Sequence, residues 1–495
     1  MRLSALLEDV AYAEGLKIAD LEITSLAYDS RKAGVNSLFV ATKGEKTDGN
    51  LFIDQAVKRG AIAVISENSR PAGFAGQWVR VSNARQALAM ASANFYGRPT
   101  QRIQLIGITG TNGKTSTAYL VESILKAGEQ RVGLISTVEY RGPEGKLPAE
   151  RTTPESLDLQ VLFSGFIQQG CGFVVMEVSS HALALEQVYA SQFRAAVFTN
   201  LTQDHLDYHQ TMENYFEAKL RLFLGTGFSL PRQSVINRDD PRGKVLEEIC
   251  QGRCLTYSTT KKADFQLIES QEENSRMMIR IKTPREVLDF KSRLQGDPNR
   301  SNILAAVAVC HDLGMDRETL KRGVEECSGI PGRFELIDCS QPFRVFVDYA
   351  HTPDALEKIL ITARNLKPRK LFVLFGCGGE RDRTKRPAMG RVAEELSDFC
   401  VITSDNPRSE DPLEIISEIE AGFQTKASKY QVEPDRAKAI RDLLQKSEAG
   451  DVVVLAGKGH ETTQVLADRT IHFNDQEEAR LALWEMGYGN KAVRS

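Results

Sequence analysis

Apolar and polar positions along the chain fall into a repeating alternation of short apolar runs and amphipathic stretches. Residues 103–109 form an apolar, β-branched run and predict a buried strand. After a short polar loop, Leu120, Ile124 and Ala127 recur at three- and four-residue spacing and predict a helix. The N-terminal part, to about residue 98, predicts strands at 38–42 and 61–67 with a helix near 53–59 between them. Further buried strands are expected at 131–137, 173–178 and 195–200, and one ends at Asn237. Helices are expected at 212–223 and 303–310, the second preceded by the polar segment 297–302, and residues 141–148 read as a Gly/Pro-rich excursion. The last part repeats the pattern, with strands at 343–348, 370–376, 399–405 and 451–457. Strands alternating with helices predict mostly parallel sheets of an α/β protein. Segments 97–100 and 331–333 carry the Gly/Pro signals of domain junctions. The expected division is 1–98, 99–332 and 333–495.

In open α/β sheets, ligands sit beyond the carboxyl ends of the strands. The loop after 103–109 is Gly110-Thr111-Asn112-Gly113-Lys114-Thr115. Glycines let a backbone approach oxygen atoms, and loop N–H groups with a helix N-terminus supply positive field. Lysine adds a charge, and a hydroxyl can hold Mg²⁺. The commonest phosphate-loop pattern needs glycine at position 108, which is isoleucine here. Two neighbouring strands end in Glu177-Val178-Ser179-Ser180-His181 and in the 200–207 segment containing His205. Glu177 is the natural metal carboxylate, since Mg²⁺ shared with phosphates takes one or two protein oxygens. Four C-terminal strands likewise run into charged loops. Arg381, Arg383, Lys385, Arg386 and Arg408 with Glu380, Asp405 and Glu461 suit a zwitterion. Lys219, alone on its helix, reads on local grounds as a solvated side chain. The segments 29–31 and 46–49 read locally as surface turns.

The totals narrow the setting. The chain has 495 residues, 41% hydrophobic and 26% charged, with net charge −3. That balance argues against a protein dominated by nucleic-acid or anionic-membrane binding. Eight cysteines are scattered without a C-x-x-C pair or zinc spacing, which points to reduced thiols in a cytoplasm. No run of about 18 apolar residues predicts a membrane span. ATP with Mg²⁺ in one domain and a charged small molecule in another leave phosphoryl transfer and ligation both open.

Separate motifs in one order resemble the Mur ligases. They are Gly110–Thr115, Thr152-Thr153-Pro154, and residues 177–183, 200–209, 237–240, 331–333, 348–353, 376–389, 405–408 and 457–461, with 29–31 and 47–49 near the start. The resemblance covers essentially the whole chain. It implies a UDP-binding N-terminal α/β domain, a central P-loop-type parallel-sheet ATPase and a C-terminal Rossmann-like domain. It implies ATP-dependent addition of a diamino acid to the D-Glu γ-carboxylate of UDP-MurNAc-L-Ala-D-Glu through an acyl phosphate. The catalytic set it implies is Lys114, Glu177, His205 and Lys219, with Mg²⁺ on Thr115, Glu177, His205 and a carbamylated Lys219. ATP would meet Gly110, Thr111, Asn112, Gly113, Lys114, Thr115, Ser116, Asn299, Asn302, Arg333 and Asp348. The UDP-sugar dipeptide would meet Ser30, Thr152, Thr153, Ser179 and Gln187. The amino acid would meet Arg381, Asp405, Asn406, Pro407, Arg408, Gly457 and Glu461. The Asp405–Arg408 loop resembles that of diaminopimelate-adding members, with lysine as the alternative substrate. A folylpolyglutamate synthetase-like ligase shares the GTNGKT core but should lack Thr152-Thr153-Pro154. Gln187 departs from the arginine of many members, and 297–302 lacks the usual Phe-Asn-Val-Tyr-Asn wording. A monomer with no nucleic-acid partner is expected.

Overall fold

The computed structural model describes residues 1–13, 16–44, 47–273, 276–327, 329–424 and 429–489. Lys46, the first residue of one turn expected from sequence, lies outside the described residues. Three main sheets follow one another along the chain. The first has four parallel strands, Ser25–Ala27, Ser37–Val40, Ala61–Ser66 and Gln77–Arg80, in sequential order. Its edge strands are only three and four residues long, too short to register as apolar runs.

The second sheet has eleven strands. Seven consecutive strands pair parallel, in the order Phe265–Glu273, Cys254–Ser258, Gln233–Asn237, Phe193–Phe198, Gln104–Thr109, Phe173–Glu177, Val132–Ile135. The central strands are buried on both faces, so they read as continuous apolar runs. One apolar cluster lies against each face, and Leu120 and Ile124 of helix Lys114–Ala127 belong to one of them. Both margins differ from the parallel expectation. Residues 141–148 are not an irregular excursion but largely an antiparallel hairpin, Glu139–Gly142 with Gly145–Pro148. At the other margin, Phe265–Glu273, Arg276–Lys282 and Val287–Ser292 pair antiparallel. Burial alternates along Arg276–Lys282 and Val287–Ser292, with charged residues on the wet face. The helix expected at 303–310 begins earlier and spans Asp297–Asp312, so Asn299 and Asn302 stand on its first turns.

The third sheet orders Glu335–Ile337, Arg344–Asp348, Val452–Ala456, Leu371–Phe375, Phe399–Ile402 and Tyr430–Val432. All pairings but the first are parallel, so the four strands expected to carry charged loops end on one edge. Helices Arg436–Gln445 and Asp475–Glu485 are bolted by a fully buried pair. Arg436 donates to Asp475 from Nε at 2.8 Å and from Nη2 at 2.6 Å.

The first sheet docks on the second unit through apolar packing that includes Leu157 and Ala190. Tyr28 Oη also donates to Asp158 Oδ2 at 2.5 Å. Among the described residues, no helix is long and apolar enough to cross a membrane.

Candidate active site

The loop between strand Gln104–Thr109 and helix Lys114–Ala127 is held from the neighbouring strand. Thr111 N–H donates to the Asn200 carbonyl at 2.8 Å, and Asn112 N–H to Asn200 Oδ1 at 3.0 Å. Thr199 Oγ1 and Asn200 Nδ2 both donate to the Asn112 carbonyl. Gly113 has φ +83°, and a Cβ there would run into the Asn302 carboxamide. Glycine is therefore required at this helix start.

Two lysines converge on one carbonyl. Lys114 Nζ donates to Gly110 O at 3.0 Å and Thr111 O at 2.8 Å, rather than pairing with Glu177. Lys219 Nζ donates to Gly110 O at 2.8 Å and lies 4.5 Å from the centre of the Tyr215 ring. Lys219 is 2% exposed, so the solvated reading is wrong: its helix Met212–Leu224 turns this face under the phosphate loop. Burial, and then the charge of Lys114, hold its ammonium well below the ordinary lysine range. Burial also lowers Lys114.

Glu177 ends its strand fully buried and accepts from Thr137 N–H at 2.9 Å and Thr137 Oγ1 at 3.1 Å. The same Thr137 hydroxyl lies 3.2 Å from Thr152 Oγ1. Thr153 turns inward instead, donating from Oγ1 to Glu177 O at 2.8 Å and accepting from Ser179 N–H. His205 adopts a left-handed conformation, φ +54°. Burial pushes its imidazole down to about 3, so it is neutral at neutral pH. Its neighbour His209, within hydrogen-bond reach of Ser180 Oγ at 2.9 Å, is lowered by burial to about 4.

Thr111, Asn112, Gly113, Lys114, Thr115, Ser116, Asn299, Asn302, Arg333 and Asp348 line one cavity of about 240 Å³, together with Thr152, Glu177, Ser179 and His205. Arg333 spans the domains: Nη2 donates to Thr115 Oγ1 at 3.2 Å, and its guanidinium lies 4.6 Å from the centre of the Tyr349 ring. Asp348 accepts from the N–H groups of Phe334 and Ala350. Asn302 Nδ2 donates to Asn299 Oδ1 at 3.1 Å.

Arg381, Asp405, Asn406, Arg408, Gly457 and Glu461 line a second cavity of about 660 Å³. Asn406 Nδ2 donates to Glu461 Oε2 at 2.8 Å, and buried Lys458 donates to the same oxygen at 2.9 Å. The two cavities share Asp204, His205, Tyr349 and His351 as a common wall. Beside it, Asp354 Oδ2 accepts from Asn112 Nδ2 at 2.9 Å, Thr202 Oγ1 at 3.1 Å and Lys358 Nζ at 2.9 Å.

Five residues of the expected set line neither cavity in addition to Thr153: Gly110, Lys219, Pro407, Ser30 and Gln187. Gly110 and Lys219 lie behind the loop. Pro407 supports the second cavity by packing its carbonyl on Gly379. Ser30 is buried in the first unit and donates to Gln55 Oε1 at 2.7 Å. Gln187 Nε2 donates to Glu155 Oε2 at 3.4 Å, and Arg85 pairs with the same oxygen at 3.5 Å. Thr137, Asp204, Tyr349, His351 and Asp354 were not singled out from sequence. Asp204, Tyr349 and His351 sit inside the resembling motifs and Asp354 directly after one, but their roles at or beside the shared wall depend on two domains meeting.

A glycine-bearing loop at a helix start and a buried carboxylate on one side of that wall, with arginines and acids on the other, suit an enzyme that uses a nucleotide to join two molecules. The family comparisons agree with this class. Residues 108–310 match the Mur ligase middle domain, 332–459 the Mur ligase glutamate ligase domain, and 22–96 the Mur ligase family catalytic domain. The chain belongs to the Mur ligase family, whose members are ATP-dependent ligases of peptidoglycan precursor synthesis. It is 47% identical over 492 residues to the UDP-N-acetylmuramoyl-L-alanyl-D-glutamate–2,6-diaminopimelate ligase of Solibacter usitatus, covering 99% of each chain. It is 41% identical to the ligase of the same name from Alkaliphilus metalliredigens, covering 100% of each. A solved structure of a ligase of this name superposes with TM-score 0.70 at 32% identity, covering 98% of this chain and 100% of that one.

Proposed function

We propose that the chain uses ATP to join meso-2,6-diaminopimelate to the D-Glu γ-carboxylate of UDP-MurNAc-L-Ala-D-Glu. The observation that carries this reading is the pair of cavities with one wall, the first built for phosphates and the second for a molecule bearing both signs of charge. The names of the full-length relatives supply the substrates.

The reaction divides the work among the three units. Residues 1–98 would hold the UDP-sugar near Ser30, 99–332 the ATP, and 333–495 the amino acid. The γ-carboxylate, presented by Thr152 and Ser179, attacks the γ-phosphorus of ATP, and the bond to the β-phosphate oxygen breaks. This leaves an acyl phosphate and ADP. The unprotonated amine of diaminopimelate attacks the acyl carbon from the second cavity. The tetrahedral intermediate then expels phosphate, leaving the amide, with the amine proton lost to solvent.

Lys114, the loop N–H groups and Arg333 would offset charge on the transferring phosphoryl group. In the amino-acid cavity, Arg381 and Arg408 face carboxylates, while Asp405 and Glu461 receive ammonium. A lysine substrate carries only one carboxylate and leaves one arginine without its partner.

The donor set fits Mg²⁺. Glu177 is a fully buried carboxylate among phosphate-binding groups, and His205 is neutral. Among the described residues, no group of three or more His, Cys, Asp and Glu side chains is arranged to hold a metal. Glu177, His205 and Thr115 would therefore share the ion with phosphate oxygens and water. Bound there, the ion would supply charge that offsets the phosphoryl oxygens. Lys219 has what carbamylation by CO₂ needs, an amine favoured in its neutral form. The Nζ–carbon bond forms, a C–O π pair moves to oxygen, and a proton leaves to solvent. The product would place a carboxylate behind the loop, beside the Gly110 carbonyl. We place the reaction in the cytoplasm, in keeping with eight free cysteines, and propose a monomer.

The test is phosphate release measured with each substrate omitted in turn, and with meso-diaminopimelate and lysine in parallel. Release should require ATP, the UDP-dipeptide and diaminopimelate together, with lysine far weaker. Equal release without an amino acid, or none with all three substrates, would overturn the proposal.

A further inference from the structure

Arg386 stands on the first turn of helix Lys385–Leu396 and is fully buried, yet it lines neither cavity. Its Nη1 donates to Glu410 Oε2 at 2.9 Å and to Glu418 Oε2 at 2.7 Å. Its Nη2 donates to Glu410 Oε1 at 3.0 Å and to the Gly378 carbonyl at 3.2 Å. These acceptors come from three segments. Gly378 lies in the loop after strand Leu371–Phe375, which continues to Arg381. Glu410 lies in the loop after strand Phe399–Ile402, which carries Asn406 and Arg408. Glu418 lies on helix Pro412–Glu420.

The two loops are tied again beyond Arg386. Glu380 N–H donates to Glu410 Oε1, and Ser409 Oγ donates to Glu380 Oε1 at 2.5 Å. On the cavity side, Arg408 Nη1 donates to the Gly379 carbonyl at 2.6 Å. Glu380 and Arg408 both sit in the left-handed region, at φ +55° and +53°. Non-glycine residues stay there only where their surroundings over-determine the backbone. The buried guanidinium and its two carboxylates supply such surroundings at the base of both loops.

We propose that Arg386 is a positioning residue for substrate choice. It holds the Arg381 loop and the Arg408 loop in register, and so sets the spacing of the two guanidinium groups that face the amino acid. A diamino acid with two carboxylates fits that spacing, and one with a single carboxylate does not. The inference rests on the reading of this cavity as the amino-acid site. Only a planar fork of several donors can reach two carboxylates and a carbonyl together. A lysine ammonium at this position keeps the charge but loses the fork.

The experiment compares the full-length wild-type enzyme with Arg386→Lys. It measures kcat and KM for meso-diaminopimelate, lysine, ATP and the UDP-dipeptide, with the thermal midpoint as a control. KM for diaminopimelate should rise at least tenfold, and the diaminopimelate-to-lysine ratio of kcat/KM should fall by a similar factor. KM for ATP and for the UDP-dipeptide should stay within twofold. An unchanged ratio overturns the proposal, whether kcat is kept or falls uniformly. If Arg386→Lys does not fold, Glu410→Gln takes its place, because it removes one charged arm of the same clamp. The same selective loss supports the proposal, and an unchanged ratio overturns it. A wild-type enzyme that ignores diaminopimelate would instead refute the functional reading beneath it.

Discussion

Asp354 offers a direct test of how the third domain docks on the phosphate loop. One of its oxygens accepts three hydrogen bonds, and two of them, from Asn112 and Thr202, cross between domains. The third comes from Lys358 four residues along the same helix, and that lysine is 42% exposed, so water replaces it readily. Hydrogen bonds to a charged acceptor contribute about 1.5–3 kcal/mol each. The Asp354 side chain is 29% exposed, which favours the lower end. Two such bonds come to about 3 kcal/mol, or roughly 150-fold in the ratio of docked to undocked molecules. Asp354→Ala should lose that amount. Asp354→Asn keeps an acceptor oxygen without charge and should lose about half in free energy, or roughly tenfold, since charge-assisted bonds are about twice as strong as neutral ones. Small-angle scattering with and without ATP reads the docking, and kcat/KM for ATP reads its consequence. The expected order is wild type, then Asn, then Ala in both. An Asp354→Ala enzyme with an unaltered scattering profile and kcat/KM within twofold of wild type would refute the reasoning.

Three more outcomes are expected. Lys219→Ala should abolish turnover, and short carboxylic acids should restore part of it; full activity in the variant would rule out a metal-organising role for Lys219. Asp475→Asn leaves the fully buried Arg436 without its counter-charge and should destabilise the protein by about 3–5 kcal/mol, read from the urea midpoint. A loss below about 1 kcal/mol would show that Arg436 finds another partner. The third outcome concerns pH. Burial lowers His209 to about 4 from its ordinary 6.5. Between these values the unfolded chain binds more protons than the folded one, so stability rises with pH and falls on acidification from 6.5 towards 4. The slope from one such group reaches about 1.4 kcal/mol per pH unit. His209→Gln should flatten the dependence of the urea midpoint in that window, and an unchanged slope would assign the effect elsewhere.

The parts of the fold legible in the sequence are those whose burial is uniform. Strands Gln104–Thr109 and Phe173–Glu177 are covered on both faces, so their apolar runs announce them. The same holds for the four C-terminal strands whose loops meet at one edge. Strands Arg276–Lys282 and Val287–Ser292 were missed because Arg276, Arg280, Lys282, Asp289 and Lys291 occupy alternate positions and dilute the apolar signal. Lys219 stands on the apolar face of its helix, with Tyr215, Phe216, Leu222 and Phe223 three and four residues away, but nothing local tells what its amine meets. Its environment comes from Gly110, 109 positions away in sequence. Asp354 is equally opaque, because its acceptor role needs Asn112, 242 positions distant. Ser30 and Gln187 were assigned by resemblance alone, and their nearest partners here are Gln55 and Glu155.

The wall of Asp204, His205, Tyr349 and His351 draws two residues from the central unit and two from the C-terminal one. Neither unit alone therefore owns a complete chamber. A nucleotide bound to an undocked molecule would meet the loop Gly110–Thr115 without Arg333 or the far side of the wall, and its γ-phosphate would lack the groups that position it for transfer. Fuel economy would thus be a property of assembly: the phosphoryl group becomes transferable only once the contacts that bring the two reactants together are made. Separation of the two units would dismantle the chamber and open an exit for the product.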